Sequence, residues 1–574
     1  MAAKTSAKKK KRKSKKTKSS KLTPQEIEQR LYRNEVRSIF TKSGFDRVPG
    51  VSDKQFVFLN EHTSDFDDVF IYKNVIVLIE YTVRQSSDLG EHLKSKKVVY
   101  DAILQNKNSF LEFYGQLFPT FSSARDPLYD NDQTSLVILY CPKNKLDITY
   151  KKRISNITYL DYPVLKYFRA ISDSVKGSAK YEIFKFFHLS YDNIGENSIR
   201  TFADKKQING TLLPETHSNF NPGYKVVSFY IDPQTLLTGS YVLRKNGWQD
   251  DHSLYQRMIV KNKINAIRKY LLKEKRVFIN NIIVTLPPET ELLNTAGKVI
   301  DASTLTKTSH VKILIPNEFN VIGLVDGQHR VFAYHEGGED DVSIGRLRIK
   351  QNLLATGIIY PSDISELEKS KFEARLFLEI NSTQTNAKSD LKQAISLILN
   401  PFSTESIATA VISKLNDHGP LQGMFEKYFF EKDKIKTTSI VSYGLKPIVK
   451  LSGSDSFFSV WNDLSKYELL KGTDQSLLNQ YIDYCVTEIN IFLGAIRSLL
   501  TSNQWSIDKK EPQRILSTTT INGFIIFLRR IIEADKLTNF NGYRKIGTLD
   551  SFNFKKYKSS QYGSLANDLF KRFP

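Results

Sequence analysis

The chain has 574 residues, 40% hydrophobic and 25% charged; these are globular values, and the length allows several cores, since one core seldom grows past roughly 250–300 residues. Lys and Arg number 83 against 61 Asp and Glu, a net charge of +22, which makes a polyanion the natural partner because each neutralised phosphate releases condensed counterions. The two cysteines, Cys141 and Cys485, imply neither a disulfide scaffold nor a zinc site, and the absence of a G-x-x-x-x-G-K-[ST] loop excludes a P-loop ATPase. No apolar run reaches the roughly 18 residues that span a bilayer. The amino terminus is polybasic without an apolar signal core, so the expectation is a soluble protein with no membrane association, cytoplasmic in a bacterium and nuclear in a eukaryotic host.

Residues 1–21 hold eleven Lys and Arg and no acid and are predicted to be a disordered basic tail, serving as a DNA contact, a nuclear-localisation signal or a solubilising segment. Thr23-Pro24-Gln25-Glu26 reads as a capped helix start, followed by the stripe Ile27, Leu31, Val36, Phe40. In SDFDDVFIYKNVIVLIEYTVRQ, residues 64–85, two apolar strands meet across Lys73-Asn74. Glu80 in the middle of the second strand needs charge compensation, and a bound cation is one way to supply it. A helix, an Asp opening a strand and a second strand ending in Glu resemble the PD-(D/E)xK nuclease superfamily. That resemblance implies Asp68 and Glu80 as catalytic carboxylates holding Mg²⁺ or Mn²⁺. Thr82 stands where the superfamily has lysine. A two-residue turn at Lys73-Asn74 puts residue 67 opposite 80, making Asp67 a second candidate. The helix of about residues 88–106 offers Lys96 as a displaced lysine, one turn from Tyr100. SLVILYC and SNITYLDYPVLKYF supply the remaining strand and strand-helix of an α/β domain over 22–175, and 176–221 reads as a polar connector.

Residues 222–400 are organised around VIGLVDGQHRVFAYHEGG, residues 321–338, where an apolar strand, a glycine turn and a helix start follow one another. Asp326-Gly327-Gln328-His329-Arg330 sits at the junction, a place suited to an anion. The pentapeptide resembles the DGQHR-domain proteins, relatives of the ParB/sulfiredoxin fold that include the DndB-like proteins of DNA phosphorothioation clusters. Tyr255-Gln256-Arg257 with the helix and strand of 264–287, and the stretch ARLFLEINSTQ of 374–384, resemble the blocks flanking the motif in that family. The resemblance implies that these five residues and Arg257 bind a nucleotide such as ATP or CTP, or a DNA phosphate. It also implies that the third block is a strand ending at Asn381 and Gln384, whose amides read base edges or hold their own turn. Gln328 replaces the cysteine of sulfiredoxin, which excludes its thiol chemistry.

Residues 401–574 are mainly helical in pattern and are assigned to packing or oligomerisation. The expected fold class is α/β plus α+β multidomain: a PD-(D/E)xK-like N-terminal domain, a ParB/sulfiredoxin-like DGQHR domain and a helical C-terminal region. The expected function is action on double-stranded DNA by a metal-dependent endonuclease, with nucleotide or phosphate bound at the DGQHR domain, in DNA modification or foreign-DNA defence. The alternatives are a non-catalytic DNA-binding regulator with a degenerate nuclease domain, and a nucleotide hydrolase centred on the DGQHR motif.

Overall fold

The computed structural model describes residues 22–59, 62–199, 204–244, 247–248, 256, 258–384 and 389–574. The basic tail 1–21 and Arg257 lie outside the described residues, as does the side chain of Gln384. The chain is a mixed α/β multidomain protein with two mixed sheets and many helices.

The first helix, Pro24–Lys42, begins with the predicted capping box: Thr23 and Glu26 satisfy each other's backbone N–H groups. Its buried stripe is Tyr32, Val36, Ile39 and Phe40. Ile27 and Leu31, predicted to share that stripe, are exposed, because the helix makes its buried contacts only from Tyr32 onward.

The first sheet has the order β1-β2-β3-β4-β5, with β1 Asp46–Arg47, β2 Asp68–Tyr72, β3 Val75–Thr82, β4 Ser135–Pro142 and β5 Thr158–Tyr159. Strands β1 to β3 are antiparallel, and β3, β4 and β5 run parallel. Tyr72 pairs with Val75 and Asp68 with Ile79, the register of a two-residue turn at Lys73-Asn74. Every residue of β3 is buried, because helices cover both sheet faces. Val75, Val77, Ile79 and Tyr81 face the first helix, whereas Ile76 and Leu78 face the helices Ser86–Gln105 and Lys107–Leu117.

The second sheet has the order β10-β11-β6-β7-β13-β9-β12-β8. Its strands are β6 Lys205–Leu213, β7 Lys225–Ile231, β8 Ser240–Tyr241, β9 Ile282–Leu286, β10 Glu291–Leu293, β11 Ser309–Pro316, β12 Ile322–Asp326 and β13 Leu353–Ile359. The predicted helix and strand of 264–287 are present as Lys261–Glu274 and β9. The stretch 374–384 departs from expectation: it is the end of the helix Glu366–Gln384, not a strand. Glu373, Ala374 and Phe377 are buried at helical spacing, and Glu, Ala, Arg and Leu in the same stretch are strong helix formers.

Residues 176–221 are not a loose connector. They contain the helix Ala179–Phe186 and β6, and Ile183, Phe184, Phe187, Ile208 and Leu212 join one continuous core with both sheets. Lys180 and Tyr181 both bind the Glu336 carboxylate just beyond the DGQHR motif. Arg244, 1% exposed, donates to the Tyr167 hydroxyl at 2.9 Å and to Glu182 at 3.2 Å, and its guanidinium lies 5.3 Å from the centre of the Phe332 ring. One buried cation thus fastens the helices following the first sheet to the helix of the motif. Residues 401–574 form a separate helical core around Gln475–Ser498 and Thr518–Glu533. No single helix among the described residues is long and apolar enough to cross a membrane.

Removing one partner of a buried ion pair leaves the other charge without compensation. Arg244→Ala is expected to cost about 3 kcal/mol of stability, read as a lower urea midpoint of the two-sheet unit; an unchanged midpoint would refute this role.

Candidate functional site

Alternation along β3 separates the predicted carboxylates. Asp68 stands opposite Ile79, on the face of the first helix, and is 0% exposed. Its oxygens accept from Arg37 Nε at 2.7 Å, Arg47 Nε at 2.6 Å, Ser52 Oγ at 2.9 Å and the Tyr81 hydroxyl at 2.8 Å. Those donors occupy the carboxylate's lone-pair directions, which suits a structural anchor for the first helix and for β1. Asp68 and Glu80, predicted together as metal ligands, therefore lie on opposite sides of the sheet.

Glu80, 6% exposed, faces the helix Ser86–Gln105. Lys96 Nζ lies 3.1 Å from Glu80 Oε2 and 2.7 Å from Asp65 Oδ1. His92, one turn earlier on the same helix, places Nε2 3.4 Å from Glu80 Oε1 and Nδ1 2.9 Å from the Tyr140 hydroxyl. Burial pulls the Lys96 pKa down, but Glu80 and Asp65 outweigh it and leave it raised. Lys96 is therefore a firm cation beside a buried carboxylate.

Asp67 directly precedes β2, outside its paired register. Its Oδ2 accepts from the Tyr81 N–H at 2.6 Å, and Arg33 binds Oδ1. Burial and the Glu80 charge push its pKa up to about 8, against the opposing pull of the Tyr81 N–H and Arg33. The two carboxylates therefore repel each other across the site. Among the described residues no group of three or more His, Cys, Asp or Glu side chains forms a metal cage. Mg²⁺ does not need one, because it is commonly held by one or two carboxylates together with water and substrate phosphate.

The second locus is the DGQHR turn. Gly327 has φ +96°, and a side chain there would meet Ile282 as well as the strain of that backbone. The turn starts a helix of only five residues, Gln328–Phe332. Much of the motif's bonding is internal. Arg330 Nη2 lies 2.7 Å from Asp326 Oδ2. Gln328 accepts from Arg244 Nε and donates to Gln256 Oε1, both at 3.4 Å, and Gln256 in turn donates to the Leu324 carbonyl at 2.7 Å.

His329 Nε2 accepts the Val260 N–H at 3.2 Å. Burial, then Lys263 and Arg244, lower its pKa to about 4. It is neutral at pH 7 with Nε2 engaged, an arrangement that does not suit a general base. These residues wall a cavity of about 390 Å³ with Lys263, Asn381 and apolar side chains including Phe377 and Leu391. Asn381 comes to the motif from a helix, its Nδ2 bonded to the Phe377 carbonyl at 2.9 Å.

Of the predicted site residues, the fold gathers Asp67, Glu80 and Lys96 at one locus and Asp326 to Arg330 with Asn381 at another, and it sets Asp68 apart. Sequence reasoning missed His92 and Asp65. The i, i+4 spacing of His92 and Lys96 was the signal for the first; Asp65 sits on the irregular stretch before β2, where no period marks it. No family model, curated protein or solved structure matches this chain.

The raised pKa of Asp67 fixes a pH dependence. Between 3.8 and about 8 the folded state binds a proton that the unfolded state has released, so this group lowers stability as pH rises across that window. Glu80→Gln removes the like charge and is expected to flatten the decline, as measured by the difference in urea midpoint between pH 5 and pH 8 in the two proteins. An equal decline in both would refute the coupling.

Proposed function

We propose that this chain is a DNA-binding protein whose first domain is a Mg²⁺- or Mn²⁺-dependent endonuclease of PD-(D/E)xK type. The observation that carries the reading is the Lys96 ammonium 3.1 Å from Glu80. It returns to the carboxylate, from the neighbouring helix, the cation that Thr82 does not supply from the strand. The layout of a helix, an antiparallel hairpin bearing Asp and then Glu, a crossover helix and a parallel strand supports the same assignment.

Asp67 and Glu80 are the residues that would hold the ion, which when bound supplies charge neutralisation and polarises a phosphodiester. Lys96 stabilises developing negative charge and orients Glu80. His92 fixes the carboxylate's other oxygen and is in turn held by Tyr140. The basic balance of the chain favours approach of DNA.

The cavity at the DGQHR turn is assigned to a nucleotide or a DNA phosphate, with Lys263 at its wall and Arg244 linking it to the first domain. The ParB/sulfiredoxin-like fold is proposed for the second sheet on the strand, turn and helix of the motif and on the helix and strand that precede it. A role in DNA modification or foreign-DNA defence follows from the DGQHR resemblance. The ion pair of Arg33 with Asp67 favours a second reading, in which a non-catalytic first domain holds DNA for regulation.

With supercoiled plasmid and Mg²⁺ or Mn²⁺, the full chain is expected to nick DNA, faster as pH rises toward 8 because the ion must displace the Asp67 proton. Glu80→Ala and Lys96→Ala are each expected to lower the rate by about 100-fold or more, while Asp68→Asn retains metal-dependent nicking per folded molecule. Nicking at the wild-type rate in Glu80→Ala would end the nuclease assignment; binding without nicking under any divalent ion would establish the regulator.

A further inference from the structure

The helix Ser86–Gln105 presents His92, Lys96 and Tyr100 at successive i, i+4 positions, so all three lie along one stripe, whose first two residues reach Glu80. The first two reach their partners. Tyr100 does not: it is 0% exposed, and its hydroxyl has no hydrogen-bond partner among the described residues.

Its ring is fixed, stacked on Phe66 with centroids 6.1 Å apart and planes 12° from parallel, and Phe66 directly precedes Asp67. The hydroxyl lies within electrostatic reach of Glu80, Tyr140, Asp67 and Asp65. The buried hydroxyls of Ser64 and Tyr114 also have no partner among the described residues; Ser64 adjoins Asp65, and the Tyr114 hydroxyl senses the Asp65 charge.

Burying a hydroxyl without a partner costs about 1–3 kcal/mol, and phenylalanine supplies the same ring without that cost. A ligand-side acceptor would account for a tyrosine at a position where phenylalanine would pack equally well. We propose that Tyr100 is the inner hydrogen-bond donor of a divalent-cation site on Asp67 and Glu80, holding a water molecule bound to the ion. Tyr100 acts through that water and is a positioning residue. The inference rests on the cation site of the nuclease reading and adds to it a determinant of cation affinity that sits on a helix rather than on either carboxylate strand.

The test uses Mn²⁺ alone, titrated into the full chain and followed by the loss of the free-ion paramagnetic resonance signal, for the wild type, Tyr100→Phe and Glu80→Gln. Melting temperatures are taken without metal. The expected results are one wild-type site abolished in Glu80→Gln, about tenfold weaker binding in Tyr100→Phe, and a metal-free melting temperature in Tyr100→Phe equal to or above that of the wild type. Wild-type affinity in Tyr100→Phe, with the Glu80→Gln loss intact, would overturn the role of Tyr100 and leave the cation site standing. No Mn²⁺ binding by the wild type would overturn both. A lower metal-free melting temperature in Tyr100→Phe would show that the hydroxyl is already satisfied within the protein and would also overturn the proposal.

Discussion

A strand buried on both faces that carries ionisable groups at its ends must find compensating charge on each side. Asp67 and Asp68 at the edge of β2, and Glu80 within β3, set that requirement. Because side chains alternate across a strand, Asp68, paired with Ile79, and Glu80 are sent to opposite faces. The first helix and β1 answer on one face with Arg37 and Arg47 bound to Asp68, and the helix Ser86–Gln105 answers on the other with Lys96 bound to Glu80. Unpaired, any of these carboxylates would carry a large desolvation penalty. The ion pairs thus help fix where both covering helices sit.

The two faces are compensated differently, and this distinguishes anchor from candidate site. Asp68 is surrounded by two guanidinium groups and two hydroxyls and has little bonding capacity left. Near Glu80, Asp67 is pushed up to about 8, and the Tyr100 hydroxyl has no partner among the described residues. Incomplete internal compensation is the physical mark of a place where a ligand contributes.

The second sheet is joined to the first through a common hydrophobic core and through Arg244, whose guanidinium reaches from Tyr167 and Glu182 to Gln328. Much of the DGQHR motif's hydrogen bonding is spent on holding its own turn: Arg330 on Asp326, His329 on Val260, Gln328 on Gln256 and Arg244. What it presents is a shaped cavity with Lys263 and Asn381 at its wall.

The sequence by itself determined the local features. The capping box at Thr23, the hairpin at Lys73-Asn74, the strand, glycine turn and helix of the DGQHR stretch, and the helical character beyond residue 400 all follow from spacing and turn chemistry that act over a few residues. The Lys96 position was also legible, because helical periodicity puts it on the stripe of Tyr100. Tertiary structure alone decided which carboxylate is spent: Asp68 is neutralised by Arg37 and Arg47, 31 and 21 residues away, a separation no local pattern encodes. It also decided that 374–384 is helical, since a short apolar run fits strand or helix until burial selects a face, and that 176–221 belongs to the shared core, since a polar stretch with weak periodicity reveals its buried residues only once both sheets are in place.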